Sequence, residues 1–244
     1  MQPYIAEFMG TAMLVLLGDG VCCTCNLEGS GMKGSGGAVH ILIGWAMAVM
    51  VPAFSFGSMS GAHFNPAVTI GAALRGGINP KFVPGYIVAQ MLGGFVGAAI
   101  LILLYSDQIK ATQDDNTIRG CFCTAPAIPN VAMNFLSEFV ATFVLVFTLA
   151  SIPGNCGDSG VSWFLVYGVI LACGASFGGL TGYAMNAARD AAPRFAYQLL
   201  APNHGKKDPN WGYGWIPVVA PICAAIVASF VYMAIAKMPP VALV

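Results

Sequence analysis

Asn65, Asn186, Arg189 and Asp190 are the residues of this 244-residue chain whose types and settings could do chemistry. Each Asn opens a short segment: Asn65-Pro66-Ala67 begins "NPAVTIGAALRGG", and Asn186-Ala187-Ala188 begins "NAARDAAPRFAYQLL", with Arg189 and Asp190 following at once. Carboxamides and a guanidinium offer N–H donors, the guanidinium with a permanent charge. No nucleophile–base pair and no metal-binding cluster accompanies them, so the pattern points to recognition of polar groups rather than to catalysis, metal or cofactor chemistry. Asn is a good helix N-cap, and Pro66 takes the first helical position, where its missing N–H costs nothing. The stretches leading in, "GSMSGAHF" and "GGLTGYAM", are Gly-rich and would expose carbonyl oxygens.

The elements that must hold these residues are apolar helices. The chain is 57% hydrophobic and 8% charged, against roughly 25% charged in a usual soluble domain. So few charges cannot cover a water-soluble globule of this size. Alternation of period two is absent, which excludes a membrane barrel, and the fold class is an all-α polytopic membrane protein. Formal net charge is zero and no basic run occurs, so nucleic acid is not a partner. The opening "MQPYIAEFMG" has no basic n-region or small-residue cleavage site and reads as the start of a span, not a signal peptide.

Crossing a bilayer takes ~20 apolar residues. Six segments qualify: about Tyr4–Cys25, Val39–Ser58, Phe82–Tyr105, Val131–Pro153, Ser159–Gly179 and Tyr213–Ala236. "CNLEGSGMKGSGG", "SDQIKATQDDNTIRG" and "APNHGKKDPNWG" read as polar, turn-forming loops, the last followed by an interfacial anchor of Trp211, Tyr213 and Trp215. The two Asn segments are too short to cross and read as re-entrant half-helices that start at membrane depth.

The chain also repeats itself. "AEFMGTAMLVLLG" resembles "SEFVATFVLVFTL", aligning Glu7 with Glu138; "SGAHFNPA" aligns with "TGYAMNAA", pairing Asn65 with Asn186. The offsets are 138 − 7 = 131 and 186 − 65 = 121, equal within a loop insertion. Repeat one covers about 1–110, a linking loop about 106–130 and repeat two about 131–244, together one domain over 1–244. Three spans per half is an odd number, which inverts one half relative to the other. Inverted repeats with broken helices place a solute path at the midplane, and irregular backbone at that depth must line a watery cavity or lie buried in protein. With the electropositive N-termini of both half-helices converging, the Asn65 and Asn186 amides would donate to a passing solute. Carbonyls of Gly61, Ala62, His63, Phe64, Ala184 and Met185 would accept from it. Cations would meet a repulsive field, so the reading is a conduit for neutral solutes.

"SGAHFNPAVT", "LTGYAMNAARDAAPRF" and the six-span inverted repeat resemble the major intrinsic protein (aquaporin) family, in its aquaglyceroporin branch, over nearly the whole chain. The resemblance implies a passive channel for glycerol and similar small neutral solutes with some water. It implies a selectivity filter at Trp45, Gly174, Tyr183 and Arg189, placed 20 positions before Asn65, 12 and 3 before Asn186, and 3 after it. Gly174, where water channels carry His, leaves room for an aromatic wall along which a polyol's carbon side slides. Asp190 braces the loop, and Glu7 and Glu138 accept from its backbone N–H groups and those of its counterpart. A homotetramer in the plasma membrane with cytoplasmic termini is implied too, with the lipid bilayer, glycerol and water as partners. Two residues depart from the branch: Tyr183 for a usual Phe, and Ala187 for the second motif's Pro.

Blander roles stand beside these: Arg189 as a surface cation, Trp45 as lipid-facing bulk, Tyr183 as packing, the two Glu as a proton relay, His63 as a metal ligand. His40 and His204 acquire no role. Cys22, Cys23, Cys25, Cys121 and Cys123 fit unpaired thiols, a disulfide between the two regions or a metal site; Cys156, Cys173 and Cys223 fit helix packing. Competing functions are a water-dominated channel, favoured by the Tyr183 hydroxyl, and a coupled secondary transporter. Against the transporter, Arg189, Glu7 and Glu138 are the only ionisable residues expected near a path. Charge counting sets Arg75, Lys81 and Lys237 on one side and Lys33, Lys110, Arg119, Arg194, Lys206 and Lys207 on the other. That count would put the termini outside; the resemblance, which puts them in the cytoplasm, is followed here.

Overall fold

Residues 1–156, 160–202 and 207–238 are described by a computed structural model. Among them six helices are long and apolar enough to cross a membrane. These are α1 (Gln2–Asn26), α2 (Gly37–Ser60), α4 (Val83–Leu104, entered through a 3-10 turn at Pro80–Phe82), α7 (Val131–Cys156), α8 (Val161–Thr181) and α11 (Ile216–Ala236). Two half-helices, α3 (Pro66–Leu74) and α9 (Ala187–Leu200), follow α2 and α8. The expected spans are recovered within a few residues. The fifth was expected from Ser159, which lies outside the described residues, as do His204 and Lys206. Phe54, Leu103, Phe164 and Phe230 stand exposed on the outer faces of these helices.

Each long-to-short helix transition uses the same device. α2 stops at Gly61 (φ 85°) and α8 at Gly182 (φ 81°), left-handed residues whose N–H groups bond Gly57 O and Gly178 O. A Cβ is costly there, which explains glycine at both. The packing is symmetric under exchange of the halves. α1 lies on α2 and α4, α7 on α8 and α11; α3 packs on α11 while α9 packs on α4. Each half-helix is therefore seated on the last span of the other half. Small residues on α4 let both α1 and α9 pack closely against it. A Cβ on Gly93 would come within 2.3 Å of Phe8 O in α1, and one on Gly94 within 2.3 Å of Ala188 O in α9.

Two readings need correction. "SDQIKATQDDNTIRG" is not simply turns: it forms α5 (Ser106–Ala111) and α6 (Asp115–Phe122), which bury Ile109, Ile118, Cys121 and Phe122. The Asp114 carboxylate caps α6, accepting from the Asn116 and Thr117 N–H groups and the Thr117 hydroxyl. Those bonds, the hydroxyl's foremost, hold its carboxyl below the ordinary range. Four buried apolar side chains in so short a stretch are too few to give a readable period. The second correction concerns the aromatic anchor. Trp211 and Trp215 are about two-fifths exposed (40% and 42%), but Tyr213, in the short α10 (Trp211–Gly214), is buried. Its hydroxyl donates to Thr181 O at 3.3 Å, because the turn of α10 directs it inward.

Candidate functional site

The two loops that precede the half-helices are built on buried carboxylates. Glu7 Oε1 accepts from Ser60 Oγ (2.6 Å) and His63 N (3.0 Å), and Glu7 Oε2 from Phe64 N (2.7 Å) and Gln90 Nε2 (2.7 Å). Glu138 Oε1 accepts from Thr181 Oγ1 (2.7 Å) and Ala184 N (3.0 Å), and Oε2 from Met185 N (2.9 Å). The three shared donors sit at equivalent positions: Ser60 with Thr181, His63 with Ala184, Phe64 with Met185. Ala62, Phe64, Tyr183 and Met185 all have positive φ, between 38° and 53°. Such conformations cost non-glycine residues about 1–3 kcal/mol each, and charge-assisted hydrogen bonds are strong enough to hold them.

At the end of each loop an Asn caps the half-helix and reaches across. Asn65 Oδ1 accepts from Ala67 N; Asn186 Oδ1 accepts from Ala188 N and Arg189 N. Asn65 Nδ2 donates to Met185 O and Asn186 Nδ2 to Phe64 O, each at 2.8 Å. The half-helix N-termini thus meet, joined by two crossed amide bonds. A carboxamide has two N–H groups, so one on each Asn is spent on this joint and one remains. Both Asn line a cavity of about 600 Å³, along with Gly61, Ala62, His63, Ala184 and Met185. Phe64, expected among the carbonyls facing a solute, does not line it: its ring fills the space over Gly10 of α1, and its carbonyl, like that of Met185, accepts from the opposite Asn.

Trp45, Tyr183 and Arg189 line the same cavity. The Arg189 guanidinium lies 3.7 Å from the Trp45 ring centroid, and the Trp45 indole donates to Cys22 Sγ at 3.3 Å. Gly174 does not line the cavity but makes room for what does. A Cβ there would stand 2.8 Å from the Tyr183 ring and 2.6 Å from Leu42. The Tyr183 hydroxyl is buried without a hydrogen-bond partner among the described residues. Asp190 is wholly buried: Oδ1 accepts from Arg194 Nε (3.0 Å) and Nη2 (2.8 Å), Oδ2 from the Thr124 N–H (2.7 Å) and hydroxyl (2.6 Å). It ties α9 to the segment after α6.

Three residues escaped sequence reasoning. Arg194 is the partner of Asp190. Arg75 lines the cavity beyond α3 and donates to Ser229 Oγ at 2.7 Å. Asp19, inside α1, lies 3.9 Å from Arg189 Nη1. The expectation that only Arg189 and the two Glu are ionisable near a path is therefore wrong. One acid amid the apolar run "LVLLGDGVCC" was the available signal for Asp19. His63, also on the cavity, faces Thr69 Oγ1 at 3.2 Å; His40 faces Cys25 Sγ at 3.2 Å. All eight cysteines are free thiols. α1 packs on α6 and brings Cys23 beside Cys121 without joining them, so the disulfide alternative does not hold in this structure.

Known proteins match this architecture along nearly its full length. The family model described as Major intrinsic protein matches residues 1–232. A Thermotoga maritima protein named "Probable glycerol uptake facilitator protein" is 42% identical over 232 residues, covering 95% of this chain and 98% of that protein. The Bacillus subtilis "Glycerol uptake facilitator protein" is 41% identical, covering 97% of this chain and 86% of that one. Among solved structures, the aquaglyceroporin from Plasmodium falciparum superposes with a TM-score of 0.82 at 29% identity, covering 97% of this chain and 96% of its own.

Proposed function

Because the chain belongs to the major intrinsic protein family, we propose that it is a passive channel conducting glycerol and similar small uncharged solutes, with some water. The observation that carries this is the single cavity bordered by both Asn caps, Trp45, Tyr183 and Arg189. In this reading Trp45, Gly174, Tyr183 and Arg189 form the selectivity filter. A polyol's carbon side slides along the Trp45 and Tyr183 rings, and its hydroxyls accept from the guanidinium. Farther along, those hydroxyls accept from the free N–H of Asn65 and of Asn186 and donate to the loop carbonyls. Cations meet the electropositive N-terminal ends of α3 and α9. Asp190 and the two Glu hold the loops and do not touch the solute. The role is transport without catalysis, metal or cofactor. By the same reading the protein is a homotetramer, one path per subunit, spanning the plasma membrane with both termini cytoplasmic.

Stopped-flow light scattering on proteoliposomes tests the reading: glycerol flux well above that of empty vesicles is expected. A water-dominated channel is the second reading, favoured by the unpartnered Tyr183 hydroxyl. Fast water flux with glycerol flux at background would establish it in place of the first. Uphill accumulation on a proton gradient would replace both with a coupled transporter.

A further inference from the structure

Arg189 needs a counter-charge. Its guanidinium is always ionised, its side chain is only 9% exposed, and buried charges are paired in folded proteins. The nearby acids are mostly committed. Asp190 spends both oxygens on Arg194 and Thr124, and Glu138 spends both on the second loop. Asp19 is different: 0% exposed as a residue, it has neither oxygen in a hydrogen bond among the described residues, and its Oδ1 stands 3.9 Å from Arg189 Nη1. The rest of that face of α1 serves the same cluster. A Cβ on Gly18 would fall 2.2 Å from the Trp45 ring, and Cys22 accepts the indole N–H.

We propose that Asp19 is the fixed counter-charge of Arg189, set behind the guanidinium on α1, and that it makes this end of the pore electrically neutral. The proposal rests on the channel reading above and adds a charge-selecting residue to it. Solutes then meet directional N–H donors without a net field. Asp19 removes the attraction that anions would otherwise feel at Arg189, the first charge on this side of the path, while the N-terminal ends of α3 and α9 still oppose cations farther along. Asp19 acts through Arg189 and is a positioning residue: it is absent from the cavity wall.

Reciprocity is the test. Proteoliposomes carrying the full chain are assayed for glycerol flux, and for chloride and potassium flux under imposed potentials. Asp19→Asn leaves a net positive filter, and focusing in a low-dielectric cleft should raise chloride flux roughly tenfold or more. Asp19→Glu should restore the wild-type value. Arg189→Val leaves the carboxylate uncompensated and should raise potassium leak, whatever it does to glycerol flux. The double variant Asp19→Asn/Arg189→Val should bring both ion fluxes back toward wild type. Unchanged chloride exclusion in Asp19→Asn, or a double variant whose leak is the sum of the singles, overturns the proposal. If Asp19→Asn fails to assemble, the Arg189→Val pair with and without Asp19→Asn decides alone. Wild-type protein without glycerol flux would sink the channel reading instead, and the ion measurements would still decide the counter-charge.

Discussion

The first and second loops share a skeleton but not a charge pattern. Both have a carboxylate from the leading span, a hydroxyl and two N–H groups bonded to it, an Asn cap and an amide crossing to the other half. Only the second adds Arg189, Asp190 and Arg194, together with the tie to Thr124. Only the first has Pro66 and the Gln90 bond to its Glu. The shared part solves a problem both halves have, holding left-handed backbone inside a membrane. The unshared part does something needed once along a path. Symmetry therefore marks the support that both halves need, and its absence marks Arg189 on the cavity wall together with the Asp190–Arg194 brace beside it.

The largest test of that division is the network without a counterpart. Asp190→Asn removes one partner of a wholly buried ion pair and should destabilise the protein by about 3–5 kcal/mol, read as reduced thermal stability in detergent. A cost below about 1 kcal/mol would place the support elsewhere. Next come the equivalent acids. Glu7→Gln and Glu138→Gln each leave buried donors unsatisfied, at about 1–3 kcal/mol per group, and should lower stability by similar amounts; a gap above about 2 kcal/mol would break the equivalence. Gly174→Ala overpacks Tyr183 and Leu42, at about 1–3 kcal/mol, and should reduce glycerol flux more than water flux; equal reduction would remove Gly174 from discrimination. Ala187→Pro copies Pro66 into the second half and should stabilise by about 0.4–1 kcal/mol. A loss instead would mean that the two caps differ in backbone geometry.

Much of the fold was legible because membrane helices announce themselves by length and lack of charge. The Asn segments stood out because they are short, capped and duplicated. The residues that were missed share a different character. Asp19 and Arg75 matter because of what folds beside them, 170 and 154 positions away in sequence (189 − 19 and 229 − 75). No local spacing encodes those meetings. Phe64 was misjudged because its ring packs over Gly10 and away from the cavity, whereas Met185, whose carbonyl takes the other crossed amide, still lines it. Tyr213 looked like its two tryptophan neighbours until the turn of α10 pointed it inward.

The crossed amides also bear on how such a protein is made. Met185 O, which receives Asn65, and α11, on which α3 rests, belong to the later part of the chain. While a ribosome is still producing that part, the earlier loop has neither its acceptor nor its seat. An unfinished polypeptide thus lacks the joint between the two half-helices, and the cavity wall that both Asn residues share forms only once the later half is in place.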